Sequence, residues 1–133
     1  MQVKRFGVSI EKELMEKLDA MVLKNKFTNR SQAIRFLISH HEAEEKWQKN
    51  QVVAGVVVLV YDHHKRDLSN KSMAIQHDYH DLILAVQHVH LDHENCLETI
   101  TLKGKAKDLK TLADSLIGLK GVKSGKFVMS VTN

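Results

Sequence analysis

The chain has 133 residues, 43% of them hydrophobic, with 20 Lys and Arg against 16 Asp and Glu and a formal charge of +4. That length suffices for one ordinary domain or two very small ones, each of which is marginal alone. No apolar run reaches the roughly 20 residues of a membrane span, the N-terminal MQVKRFGVSI lacks the apolar core of a signal peptide, and one cysteine cannot form a disulfide within the chain, so a cytoplasmic, reducing address with no membrane contact is expected.

In chain order, VKRFGVSI alternates: Phe6, Val8 and Ile10 share one face, Arg5, Gly7 and Ser9 the other, as in a half-buried strand. From Glu11 the period turns helical, with Leu14, Leu18, Met21 and Val22 as the stripe and Glu11 and Glu13 at the end where the helix dipole favours acids. NKFTNRSQ interrupts it, and Asn29 with Gln32 three residues on resembles a capping box that opens a second helix with Ala33, Ile34, Leu37 and Ile38 on its apolar face. HHEAEEKWQKN either continues that helix or unwinds into a linker around residues 45 to 51. The first domain is therefore expected over residues 1–48.

A strand of this length leaves its backbone groups unpaired unless a second strand completes it. If the partner is the same strand of a second chain, a twofold antiparallel ribbon results, which displays Arg5, Gly7 and Ser9 twice at a width suited to the DNA major groove. This arrangement, with TNRSQAIR after it, resembles the ribbon-helix-helix repressors. Arg5 is then expected to read guanine and Ser9 either base, while the backbone amides of Asn29, Arg30 and Ser31 hold a phosphate.

The second half opens with VVAGVVVLVYDH and continues through KRDLSNKSMAIQHDY, LILAVQHVHL, CLETITLKG, KDLKTLADSLIGL and KFVMSVT. The order is strand, helix, strand, strand, helix, strand. An α+β chain is expected, with a ferredoxin-like (ACT-like) βαββαβ domain over residues 52–133. Ser69, Asn70 and Ser72 are poor helix formers, so the segment 63–79 is expected to be mobile.

QHVHLDHENC gathers three histidines and the lone cysteine within ten residues. Residues two apart on a strand point the same way, so His88 and His90 form a pair in an otherwise apolar pattern. Cys96 opens the next strand, from which its thiolate can reach back as a third, softer ligand. Glu98 is placed to fix an imidazole tautomer. His77 and His80 are both candidates for a fourth ligand on spacing alone.

The pieces QH, HVH and CLE, joined to a strand-helix-helix, resemble the nickel-responsive repressor family over almost the whole chain. The resemblance implies one Ni(II) per subunit, held square-planar by His88, His90 and Cys96 of one subunit and His77 of a neighbour in a homotetramer. It also implies that Lys65 and Arg66 of YDHHKRDL touch the backbone of double-stranded operator DNA. His63, His64, His80 and His93 receive no role. The family commonly carries acids where this chain has Gln32 and Phe36, so hard oxygen ligands for a second, interdomain cation are missing. Gly7 offers no side chain to a base where that family uses Thr or Ser, so a different operator sequence is expected. No enzyme is expected. The alternatives are an amino-acid or small-molecule sensor on the same fold and, less favoured, a metalloenzyme in which the His/Cys cluster keeps an open coordination position.

Overall fold

The computed structural model describes residues 1–133 and divides into two compact units, Met1–Glu42 and Ala43–Asn133. In the first, α1 spans Lys12–Lys24 and α2 begins at Arg30 and runs on to Gln48, across the division. Lys26, at a φ of 56°, ends the first helical run in the left-handed region. Asn29 caps α2 by accepting from the Gln32 amide at 2.9 Å, while Gln32 Oε1 accepts from the Thr28 amide at 2.5 Å, one residue earlier than a strict capping box has it. Arg30 makes a two-pronged pair with Asp19 at 2.8 and 2.9 Å, tying α2 to α1.

Residues 3–10 form no strand, contrary to the alternating pattern. A strand exists only with a ladder partner, and the single chain supplies none. The alternation survives in the side chains: Phe6, Val8 and Ile10 line an open hollow of about 780 Å³ together with Leu14, Leu18 and Leu37. Ala33 is the one buried residue of this unit. So little burial does not offset the entropy of ordering some 40 residues.

The second unit follows the expected order: β1 Val52–Asp62, α3 Arg66–Asp78, β2 Ile83–His90, β3 Asn95–Lys105, α4 Ala106–Ile117 and β4 Val122–Ser130. The sheet order is β2-β3-β1-β4 with every neighbour antiparallel. β1 sits centrally because its valine-rich run serves both faces. Val53, Val57, Leu59 and Tyr61 are buried with Ile100 and Leu102 under Leu109, Leu112 and Leu116 of α4 and Leu68 of α3. Val56, Val58 and Val60 lie on the opposite, half-exposed face. α3 forms in spite of Ser69, Asn70 and Ser72, because Leu68 and Ser72 are buried against the sheet and packing outweighs propensity. The last turn of α2 belongs to this unit: Trp47 donates from its indole to the Ser130 carbonyl at 2.7 Å and meets Phe127 edge-on at 5.4 Å.

Candidate metal centre

The β2–β3 hairpin turns on Asp92, whose carboxylate accepts from the backbone amides of Glu94 and Asn95 at 2.9 and 2.7 Å. These bonds hold the Asp92 carboxyl below its ordinary range, the Asn95 amide contributing most. The turn sets the register, and the register places His90 directly opposite Cys96 and His88 directly opposite Glu98. Residues opposite one another in a ladder project to the same side, so all four share one face.

The four differ in environment. Cys96 and Glu98 are buried, whereas His88 and His90 are exposed, with ring centroids 5.5 Å apart. Their interruption of the apolar pattern therefore does not bury them, because β2 is the outermost strand of the sheet. The Cys96 thiol donates to the Tyr61 carbonyl at 3.5 Å; burial pushes its pKa up, against the lowering effect of its hydrogen bonds with Tyr61. Glu98 accepts from the Tyr61 hydroxyl at 2.5 Å and from Gln76 Nε2 at 2.7 Å, and stands 3.6 Å from His88 Nδ1. Burial and this carboxylate together raise the Tyr61 pKa. Gln76 also donates to Ser72 Oγ at 3.1 Å, so the carboxylate beside His88 is tied to α3 one residue before His77. Tyr61 and Gln76 carry no signal in the sequence beyond their place on β1 and next to His77.

His77 is exposed in the last turn of α3, its ring 6.1 Å from that of His80, whose Nδ1 donates to the His77 carbonyl at 3.0 Å. In the single chain no three His, Cys, Asp or Glu donors are gathered closely enough to hold an ion. The donor chemistry of the hairpin nevertheless fits a borderline transition metal: two imidazoles and a thiol on one face, with a buried carboxylate beside one imidazole to orient it. The thiol must lose its proton to bind.

The residues expected to meet DNA fall in the first unit and at the start of α3. Arg5, Gly7 and Ser9 are exposed in the N-terminal segment, and Asn29 is the cap of α2. The Arg30 guanidinium is already engaged by Asp19, and Ser31 lines the hollow beneath Phe6 and Val8. Lys65 stands just before α3, with no side-chain capping bond, and Arg66 begins the helix; both are exposed.

Residues 54–130 match the family model described as the NikR C terminal nickel binding domain, and residues 4–45 match the model of ribbon-helix-helix proteins of the copG family. A protein of Desulfovibrio desulfuricans named "Putative nickel-responsive regulator" is 51% identical over 96% of this chain and 93% of its own length. Proteins with the same name from Geobacter sulfurreducens and Syntrophus aciditrophicus are 50% and 44% identical, over 96% and 95% of this chain and over 93% and 92% of their own lengths. Among solved structures, the uncharacterized protein TM1266 of Thermotoga maritima superposes with a TM-score of 0.53 at 16% identity, over 59% of this chain and 98% of that one, a likeness of fold alone.

Proposed function

Because this chain belongs to the nickel-responsive regulator family, with the ribbon-helix-helix and the C-terminal domain of that family both present, we propose that it regulates transcription by binding operator DNA when it holds nickel. It is a DNA-binding regulator of that family and not an enzyme. The observation that carries the metal assignment is the hairpin register, with His90 opposite Cys96 and His88 opposite Glu98.

In this reading one Ni(II) per subunit is held in a square-planar set by His88, His90 and Cys96, with His77 supplied by a neighbouring subunit of a homotetramer. Nickel supplies an ion that accepts imidazole and thiolate together in a plane. Glu98 keeps His88 oriented and, through Gln76, ties the ligand strand to α3. A link between His77 and a neighbour's hairpin therefore acts on the helix that starts with Lys65 and Arg66. Those two side chains meet the DNA backbone, and Arg5, Gly7 and Ser9 of a paired N-terminal ribbon face the bases, with Asn29, Arg30 and Ser31 at a phosphate.

Assembly is supported by what the single chain leaves open. The first unit has almost no core, and Phe6, Val8 and Ile10 stand 74%, 55% and 40% exposed. A second copy of the N-terminal segment gives these residues burial and gives the backbone a ladder. The open sheet face, with Val56, Val58, Val60 and Val128, suits packing of a second domain pair. No helix is long and apolar enough to cross a membrane, and operator binding calls for a cytoplasmic address.

Footprinting on genomic DNA fragments with and without nickel tests metal, DNA and their coupling together. Protection of a defined site with nickel alone is expected. Equal protection without metal, or protection induced by amino acids in its place, overturns the reading.

A further inference from the structure

Arg30 supplies the only positive side chain in the first turn of α2, and no acid lies in that turn. Its charge is already engaged. Nε and Nη2 donate to Oδ1 and Oδ2 of Asp19 at 2.8 and 2.9 Å, a fork in which each nitrogen has its own oxygen. A phosphate offers a guanidinium the same pair of oxygens, so the Asp19 carboxylate fills the position that a phosphate at this helix end would take.

We propose that Asp19 is an internal substitute for DNA phosphate: it holds Arg30 in the free protein, gives it up when a duplex arrives, and so limits how tightly the N-terminal unit grips DNA of any sequence. Asp19 touches no DNA in this scheme and acts as a positioning residue on Arg30. The inference rests on the reading of the α2 N-terminus as a phosphate contact.

The placement of the pair supports the exchange. Its side chains are 57% and 50% exposed, so it is a water-screened pair that another anion can replace, not a buried lock. The Asn29 and Gln32 side chains cap the amides of Gln32 and Thr28, and the amides of Arg30 and Ser31, which have no acceptor inside the helix, stay open to an anion. Arg30 also lines the hollow under Phe6, Val8 and Ile10, which sets the fork beside the segment that carries Arg5, Gly7 and Ser9.

Charge gives the sign of the effect. With Asp19 present, Arg30 moves from a carboxylate to a phosphate and leaves the carboxylate behind, so the exchange brings no net cation to the complex. Without Asp19, Arg30 brings a whole positive charge and one more counterion leaves the DNA. Glu13 provides a contrast on the same helix, because its carboxylate pairs with Lys17 at 3.2 Å and not with Arg30.

Titration of nickel-loaded full-length protein with a mixed-sequence duplex, over a range of salt, provides the test. Asp19→Asn is expected to tighten binding about two- to fivefold at low salt, the effect of an exposed ion pair. The plot of log K against log salt is expected to steepen by about 0.9 for each Arg30 released. Both changes are expected to vanish when Asp19→Asn/Arg30→Gln is compared with Arg30→Gln, whereas the effect of Glu13→Gln is the same with or without Arg30. A gain that survives in the Arg30→Gln background is general electrostatics and overturns the proposal. A loss of affinity with an unchanged slope, as a mere strut between α1 and α2 would give, overturns it as well. Nitrogen NMR of the wild type keeps the test open should Asp19→Asn fold poorly: the Arg30 Nε–H resonance is expected to move as duplex is added, and an unmoved resonance overturns the exchange. Wild-type protein that loads nickel but binds no duplex overturns the phosphate-contact reading and this inference together. Binding that does not respond to Asp19→Asn overturns this inference alone.

Discussion

His90 lies directly across the β2–β3 hairpin from Cys96, two rungs from the pair His88 and Glu98. The rung between them, Val89 with Leu97, projects to the other face, so the two polar rungs stack on one side. A hairpin of this register presents imidazole and thiol side by side without help from any other element.

Cys96→Ala is therefore expected to abolish the thiolate-to-nickel charge-transfer band of the nickel-loaded protein. Cys96→Ser is not expected to restore it, since an alcohol is a harder and far less acidic ligand. Absorption spectra of both variants at equal nickel loading check this, and a wild-type spectrum typical of octahedral nickel counts against the ligand set.

Arg5→Ala is expected to weaken binding to a specific operator by about 1 to 3 kcal/mol, the worth of a bidentate contact with guanine, with nickel affinity unchanged. Gel-shift titrations on operator and unrelated DNA separate the outcomes. An equal loss on both sequences makes Arg5 a phosphate contact, and no loss removes the ribbon from the readout.

Mixing His77→Ala subunits with subunits lacking His88, His90 and Cys96 is expected to restore part of the nickel binding that neither homotetramer has. Equilibrium dialysis after subunit exchange, confirmed by mass spectrometry, gives the measurement. No recovery in a confirmed hybrid means that the fourth ligand comes from the same chain.

The Arg30 guanidinium bonded to Asp19 holds that carboxyl below its ordinary pKa. A depressed carboxyl contributes stability that is present above the unfolded pKa of about 3.9 and is lost as pH falls through the folded value. The α1–α2 unit is thus expected to weaken below about pH 4, and Asp19→Asn to flatten that dependence. Circular dichroism melts from pH 7 to 3 on both proteins read the difference.

Gly55→Ala would place a Cβ 2.6 Å from Phe127 Cε1 and 2.9 Å from the Val128 carbonyl oxygen. The Phe127 ring is held by Trp47, so the strand pair must give way, and a loss of about 1 to 3 kcal/mol is expected. Urea unfolding followed by Trp47 fluorescence is the check.

Period and spacing alone determined the βαββαβ order, the helix start at Asn29 and the common face of His88 and His90, because each rests on local geometry that a side-chain pattern states directly. The four strands of the second unit sit close to where alternation puts them, although β4 begins at Val122, earlier than its apolar run. Tertiary structure decided what needs partners distant in the chain. Phe6, Val8 and Ile10 have the pattern of a strand but form none, since a ladder requires a second strand. α3 forms over residues of poor propensity because the sheet buries Leu68 and Ser72. The Tyr61 and Gln76 bonds to Glu98 and the meeting of His63 with His90 join residues 22 to 37 positions apart, and no local period encodes such contacts.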